Sequence, residues 1–215
     1  MRLLAIGDIH GCFKALSTLS EAVAFQPGDI VVTLGDYVDR GPGSRQVLDF
    51  LIALAGRITL VPLKGNHEIM MLAARHDAEA AQQWFMYGGA DTLESYGGAR
   101  NIPESHWFFL QRTQSYYESD KNFFVHASVD PYLPLAVQTE DMLHWESLTD
   151  RGPHCSGKRM ICGHTAQHSG LPLNLGHTVC IDTRAHGGGW LTCLDVGSNL
   201  YWQANEAGAI RTGSL

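Results

Sequence analysis

Three apolar runs in the first third of the chain each lead into glycine followed by a residue that binds metal, and this repetition constrains the fold more than any other feature. Leu3 to Ile6 precedes Gly7-Asp8-Ile9-His10-Gly11, and Ile30 to Leu34 precedes Gly35-Asp36-Tyr37-Val38-Asp39-Arg40-Gly41. Ile58 to Leu63, interrupted by Pro62, leads to Gly65-Asn66-His67-Glu68. Short apolar runs bounded by turn residues read as buried strands. The blocks recur about every thirty residues, the length of a strand–helix–strand unit, so the strand ends gather at one rim of a sheet. His126 and His164 also follow apolar runs and complete the cluster. Asp8 and His10, two residues apart in extended chain, point the same way. Mixed carboxylate, amide and imidazole donors suit Mn, Fe, Zn or Co rather than Ca or Mg. The constellation points to metal-dependent hydrolysis of phosphoesters.

The rest of the chain is read around that rim. Strands near 2–7, 30–34 and 58–63 alternate with helices near 12–24 and 44–55, which argues for a parallel or mixed sheet covered by helices. Residues 66–112 change character, with helical patterning at 73–86 and 105–112 and the breaks Gly88-Gly89 and Gly97-Gly98. From residue 122 strands dominate, at 122–126, 160–162, 178–181, 190–195 and 200–204. Gly187-Gly188-Gly189 and Gly197-Ser198-Asn199 are expected to turn hairpins. The expected architecture is α/β: two packed mixed β-sheets flanked by helices. A single domain over 1–215 is expected, with a helical excursion at about 70–120 beside the site.

Composition sets the partners. A formal net charge of −7 with no basic stripe excludes a general nucleic-acid binder. No long apolar span is present, so no membrane partner is expected, and the chain enters its first strand directly. The five cysteines include no CxxC pair, and Cys162, Cys180 and Cys193, in apolar strand-like runs, read as buried free thiols, which suits a cytoplasmic protein. The sequence does not specify an oligomeric state.

The blocks GDxHG, GDxVDRG and GNHE are intact here and resemble the signature of the PPP-type Ser/Thr phosphoprotein phosphatases, in the bacterial and lambda-phage-like branch of the calcineurin-like metallophosphoesterases. Val125-His126-Ala127, Gly163-His164-Thr165 and Ile181-Asp182-Thr183 extend the resemblance over most of the chain. It implies two divalent metal ions, Mn2+ foremost, with Fe, Zn and Co as the other members of the set. Asp8 and His10 would hold the first ion, Asp36 would bridge, and Asn66, His126 and His164 would hold the second. His67 would be the general acid, oriented by Asp39, and Arg40 would bind phosphate oxygens. Glu68 is expected to fix the Asn66–His67 turn.

Two departures touch substrate binding. The family's second phosphate-binding arginine stands two residues after a tryptophan, whereas here Trp145 is followed by Glu146 and Ser147. Arg151 and Arg159 are candidate replacements, and Arg184, where the pattern has glycine, supplies positive charge from another direction. Relatives that cleave symmetrical dinucleoside tetraphosphates tend to depart from Asp39 and Glu68, and this chain keeps both. The expected substrate is therefore phosphoserine or phosphothreonine, with phosphotyrosine beside them, in a phosphoprotein or phosphopeptide. The dinucleoside tetraphosphate hydrolase is the second reading, with Trp84, Phe85, Tyr87 and Trp107 as surfaces for bases. A catalytically inactive binding module is the third.

Overall fold

The computed structural model describes residues 1–215. Eleven strands run in chain order as β1 (Leu3–Ile6), β2 (Ile30–Thr33), β3 (Thr59–Pro62), β4 (Tyr116–Glu118), β5 (Asn122–Val125), β6 (Arg159–Cys162), β7 (Leu173–Asn174), β8 (Thr178–Cys180), β9 (Leu191–Asp195), β10 (Leu200–Ala204) and β11 (Ile210–Ser214). The α-helices are α1 (Phe13–Val23), α2 (Ser44–Ala55), α3 (Asn66–Ala74), α4 (Ala78–Trp84), α5 (Ala90–Tyr96), α6 (Glu104–Gln111) and α7 (Glu140–His144).

The strands form two sheets, ordered β11-β10-β9-β1-β2-β3 and β4-β5-β6-β8-β7. In the first, β1, β2 and β3 are parallel and β9 runs antiparallel to β1. Parallel strands need crossovers, and α1 and α2 supply them. The strand alternation sorts side chains between layers. Leu4, Ile6 and Val31 join the core under the helices, while Ala5 and Val32 face the second sheet. Phe124, Ile161 and Val179 meet them from the second sheet, and Phe123 and Val125 pack on its outer side. The expected two mixed sheets flanked by helices are what the chain forms.

Boundaries differ where local chemistry overrides pattern. The helix expected from residue 73 begins at Asn66, because the Glu68 carboxylate accepts from the Gly65 N–H at 2.9 Å and makes the Gly65-Asn66-His67-Glu68 block itself the first turn. It stops at Ala74, and Asp77 starts α4 by accepting from the N–H groups of Glu79 and Ala80. Gly197-Ser198-Asn199 does connect the antiparallel pair β9 and β10. Gly187-Gly188-Gly189 does not turn a hairpin: β8 lies in the second sheet and β9 in the first, so this segment crosses between sheets. No helix is long and apolar enough to cross a membrane.

Candidate metal centre

The ends of β1, β2, β3, β5 and β6 converge, and the backbone there is held in conformations that other residues avoid. Eight non-glycine residues have φ in the left-handed region, and six of them are His10, Asp36, Asp39, Arg40, His164 and Arg184. Such strain persists only where surrounding contacts dictate it, and it clusters at functional sites. Gly65 and Gly163 meet the same crowding from the other side, since a Cβ on either would collide with the carboxylate of Asp36 or Asp8.

Asp36 is the centre of the arrangement. Its Oδ2 lies 3.3 Å from His10 Nε2, and its Oδ1 lies 3.4 Å from His126 Nε2. His126 Nε2 is also 3.1 Å from Asn66 Oδ1. One carboxylate thus faces two donor groups, one oxygen to each. The ligand atoms of Asp36, His126 and His164 lie within 4.8 Å of one another, as do those of His10, Asp36 and His67.

The histidine tautomers are fixed from behind. His10 Nδ1–H donates to the Val38 carbonyl at 3.1 Å, and His126 Nδ1–H donates to the Leu34 carbonyl at 2.8 Å. Each therefore turns the lone pair of Nε2 inward. His164 is reversed: its Nε2–H donates to the Trp145 carbonyl at 3.0 Å, leaving Nδ1 free. Burial pushes His10 well down and His126 to about 4, so both are neutral at physiological pH. Burial, then Asp182 and Asp36, pushes the Asp8 carboxyl well up. A buried set of carboxylates and neutral imidazoles that repel or lack protons fits divalent cations.

Asp8 belongs to neither of these close groups. Both of its oxygens accept from the His164 N–H, at 3.1 and 3.0 Å. The other five residues expected as ligands, His10, Asp36, Asn66, His126 and His164, lie together.

His67 behaves differently from His10 and His126. Its Nδ1–H donates to Asp39 Oδ2 at 2.7 Å, while Nε2 is buried, without a hydrogen-bond partner, and 4.0 Å from Asp36 Oδ2. Burial opposes its charge, but Asp36 and the Asp39 hydrogen bond outweigh that, and its pKa is raised. Asp39 is itself fully gripped: the Trp84 indole N–H donates to Oδ2 at 2.8 Å and the Thr92 hydroxyl to Oδ1 at 2.7 Å. Arg40 is exposed at the rim, and Nη1 reaches His10 Nε2 at 3.1 Å.

Glu68 has a scaffold role. Its two oxygens accept from the backbone N–H of Asp36 at 2.7 Å, Tyr37 at 2.8 Å and Gly65 at 2.9 Å. Burial and Asp36 push its carboxyl up, and the N–H donors from Gly65 and Tyr37 hold it down. Asp182 Oδ1 accepts from the Arg184 N–H at 2.9 Å, which fixes the left-handed turn at Arg184.

The replacement arginines separate clearly. Arg151 is spent on Glu146 and Thr149 at the surface. Arg159 spans the two sheets, donating to Asn122, Asn199 and the Val196 carbonyl. Neither reaches the site. Arg184 is exposed and close enough, with Arg40, to push His186 down to about 4, burial being the larger cause.

Sequence reasoning missed His186, whose ring packs edge-on against His10 at 4.6 Å. A histidine beside Gly-Gly-Gly reads as loop, and only the crossing between sheets brings it here. Thr92 carried no signal. Trp84 was expected as a surface for a base, but it is 4% exposed and serves Asp39.

Residues 1–177 match the calcineurin-like phosphoesterase family. A symmetrical bis(5'-nucleosyl)-tetraphosphatase from Pseudomonas fluorescens strain Pf-5 is 32% identical over 158 residues, 70% of this chain and 52% of that protein. One of the same name from Pseudomonas putida strain GB-1 is 33% identical over 155 residues, covering 68% and 51%. The chain spans about half the length of the curated relatives it matches. Among solved structures, a candidate diadenosine tetraphosphatase superposes with a TM-score of 0.68 at 22% identity, over 99% of this chain and 93% of that one. A protein serine/threonine phosphatase from Saccharomyces cerevisiae superposes with a TM-score of 0.67 at 16% identity, over 100% and 80%. At those identities the likeness is one of fold.

The relatives' names overturn the expectation of a phosphoprotein or phosphopeptide substrate. The physical reason is visible in the site: Asp39 orients His67 and Glu68 holds backbone amides, so keeping both residues does not select a substrate. Its matching family, its converging strand ends and its paired donor groups place the chain among the calcineurin-like phosphoesterases, hydrolases of phosphoesters that use a dinuclear divalent metal centre.

Proposed function

We propose that the chain cleaves dinucleoside tetraphosphates symmetrically, giving two nucleoside diphosphates. The observation that carries the hydrolytic chemistry is the unpartnered Nε2 of His67 facing a carboxylate shared between two donor groups. The substrate class rests on the name shared by the curated relatives.

Asp8, His10 and Asp36 would hold one divalent ion, and Asp36, Asn66, His126 and His164 the other, with Mn2+ the metal we assign. When bound, such ions neutralise phosphate charge and bring the pKa of bound water toward neutrality. A chain of net charge −7 needs that help with a polyanionic substrate.

The chain's own residues do the rest. Arg40 offers a planar fork to the non-bridging oxygens of the phosphorus under attack, where negative charge grows. Arg184 adds a second cation beside it. Water adds to one of the two central phosphorus atoms as the bond to the central bridging oxygen breaks. His67, protonated on Nε2, donates that proton to the departing oxygen, while Asp39 keeps the ring aligned through Nδ1–H. The leaving nucleoside diphosphate is far less basic than an alkoxide, so it asks little of the acid.

Chromatography of the products from Mn2+-loaded protein and diadenosine tetraphosphate tests this reading. ADP should be the sole nucleotide product, and release of AMP with ATP, or no cleavage, would contradict it.

A further inference from the structure

The metal donors and the two arginines account for the phosphates of a dinucleotide but leave its bases without a surface. Of the four aromatics first considered for bases, two are already engaged. Trp84 is 4% exposed with its N–H on Asp39, and Trp107 is 7% exposed with the Arg75 guanidinium 4.8 Å over its ring.

Phe85 and Tyr87 are free. They are 55% and 59% exposed and lie in the segment Phe85–Gly89, where the chain kinks at Gly88 between α4 and α5. This segment is fastened to the loop that carries Asp39 and Arg40. The Gly88 carbonyl accepts from the Arg40 N–H at 3.4 Å, with Gly88 at φ 109. A Cβ at Gly88 would lie 2.9 Å from Arg40 N and 3.3 Å from Asp39 Cβ, so nothing larger than glycine permits this approach. Tyr87 is therefore one residue from the backbone contact with Arg40.

A second exposed aromatic borders the opposite donor group. Trp145 is 42% exposed, and its carbonyl accepts the His164 Nε2–H at 3.0 Å. Linked contacts then run in one order: the Gly88 carbonyl beside Tyr87, then Arg40, His10, Asp36, His126, His164 and the Trp145 carbonyl. Aromatic surface stands at both ends, with cation and metal donors between. A dinucleoside polyphosphate has the same order, with a base at each end and phosphates between.

We propose that Phe85 and Tyr87 at one end and Trp145 at the other stack the two nucleobases of the substrate, an inference that rests on the dinucleotide reading above. Every base has a π-face, so such surfaces accept adenine or guanine without sequence-like selection.

The test reads inhibition constants on p-nitrophenyl phosphate, so it works even if diadenosine tetraphosphate is not cleaved. ADP and pyrophosphate are compared as inhibitors of the wild type and of Tyr87→Ala, Trp145→Ala and Trp145→Phe, with Phe108→Ala as an exposed control elsewhere. ADP should bind the wild type about tenfold more tightly than pyrophosphate. Each alanine variant should weaken ADP about fivefold relative to pyrophosphate, and Trp145→Phe should recover most of the loss. Equal inhibition by ADP and pyrophosphate in the wild type, or alanine variants that shift both constants alike, would overturn the inference. Failure to cleave diadenosine tetraphosphate with the ADP preference intact would sink the proposed function alone.

Discussion

His67 favours a proton where His10 and His126 disfavour one, and the difference comes from what faces each ring. Burial pushes His10 and His126 down, and backbone carbonyls fix their tautomers. His67 is equally buried, yet Asp36 and Asp39 raise its pKa. A raised pKa extends the charged form of the acid to higher pH, and its contribution is lost as pH climbs past a value above the usual one of about 6.5. His67→Asn should therefore abolish the alkaline limb of the pH–rate profile while leaving metal content near normal. Turnover of an alkyl phosphomonoester should fall by ~10²–10⁴, and that of a dinucleotide by less, because its leaving oxygen is weakly basic. Steady-state kinetics with elemental analysis checks both, and metal loss in the variant would refute the acid role. Five of the six residues expected as ligands come together here, and they and the His67–Asp39 pair were legible because each stands at a strand end inside a short motif. His186, Thr92 and Trp84 were not, because their partners lie far away in sequence and only tertiary packing joins them.

The elements hold the site through a few polar locks at their ends. Glu68, in the first turn of α3, ties three backbone N–H groups from β2's exit loop and from its own cap. Glu68→Gln would turn an amide NH2 against one of those donors, and unfolding in denaturant should show a loss of about 2–3 kcal/mol. A second lock joins the start of β1 to the entry of β2. Asp29 is held down to about 2, chiefly by its hydrogen bond to Arg2, with further N–H donors from Gln26 and Arg2. Its folded pKa is depressed, so the stabilisation is present above the unfolded value of about 3.9 and disappears as pH falls toward 2. Discounted for the partly exposed arginine, Asp29→Asn should cost about 1–2 kcal/mol at pH 7 and almost nothing near pH 2. Equal destabilisation at both pH values would show that packing, not the charge, is lost. The start of α3 was misread because Gly-Asn-His-Glu looks like a turn until Glu68 is seen to cap it.

At the scale of the molecule, the alternation of strands and helices in the first half, with the run of strands from residue 122, was enough to predict two mixed sheets with helices outside. What escaped were the marginal strands. β11 alternates exposed and half-buried residues and β7 is two residues long, so neither carries an apolar signal. The crossing at Gly187-Gly188-Gly189 also escaped, since which sheet a strand joins is set by packing rather than by the turn itself. The substrate was least legible. Asp39 and Glu68 were weighed as marks of a protein phosphatase, yet their contacts serve the acid and the backbone, which any substrate of this chemistry needs. The most direct measurement compares kcat/KM of the Mn2+-loaded protein for diadenosine tetraphosphate and for a phosphoserine peptide, side by side. The account predicts a clear preference for the dinucleotide, with ADP as product. A higher kcat/KM for the peptide would contradict it.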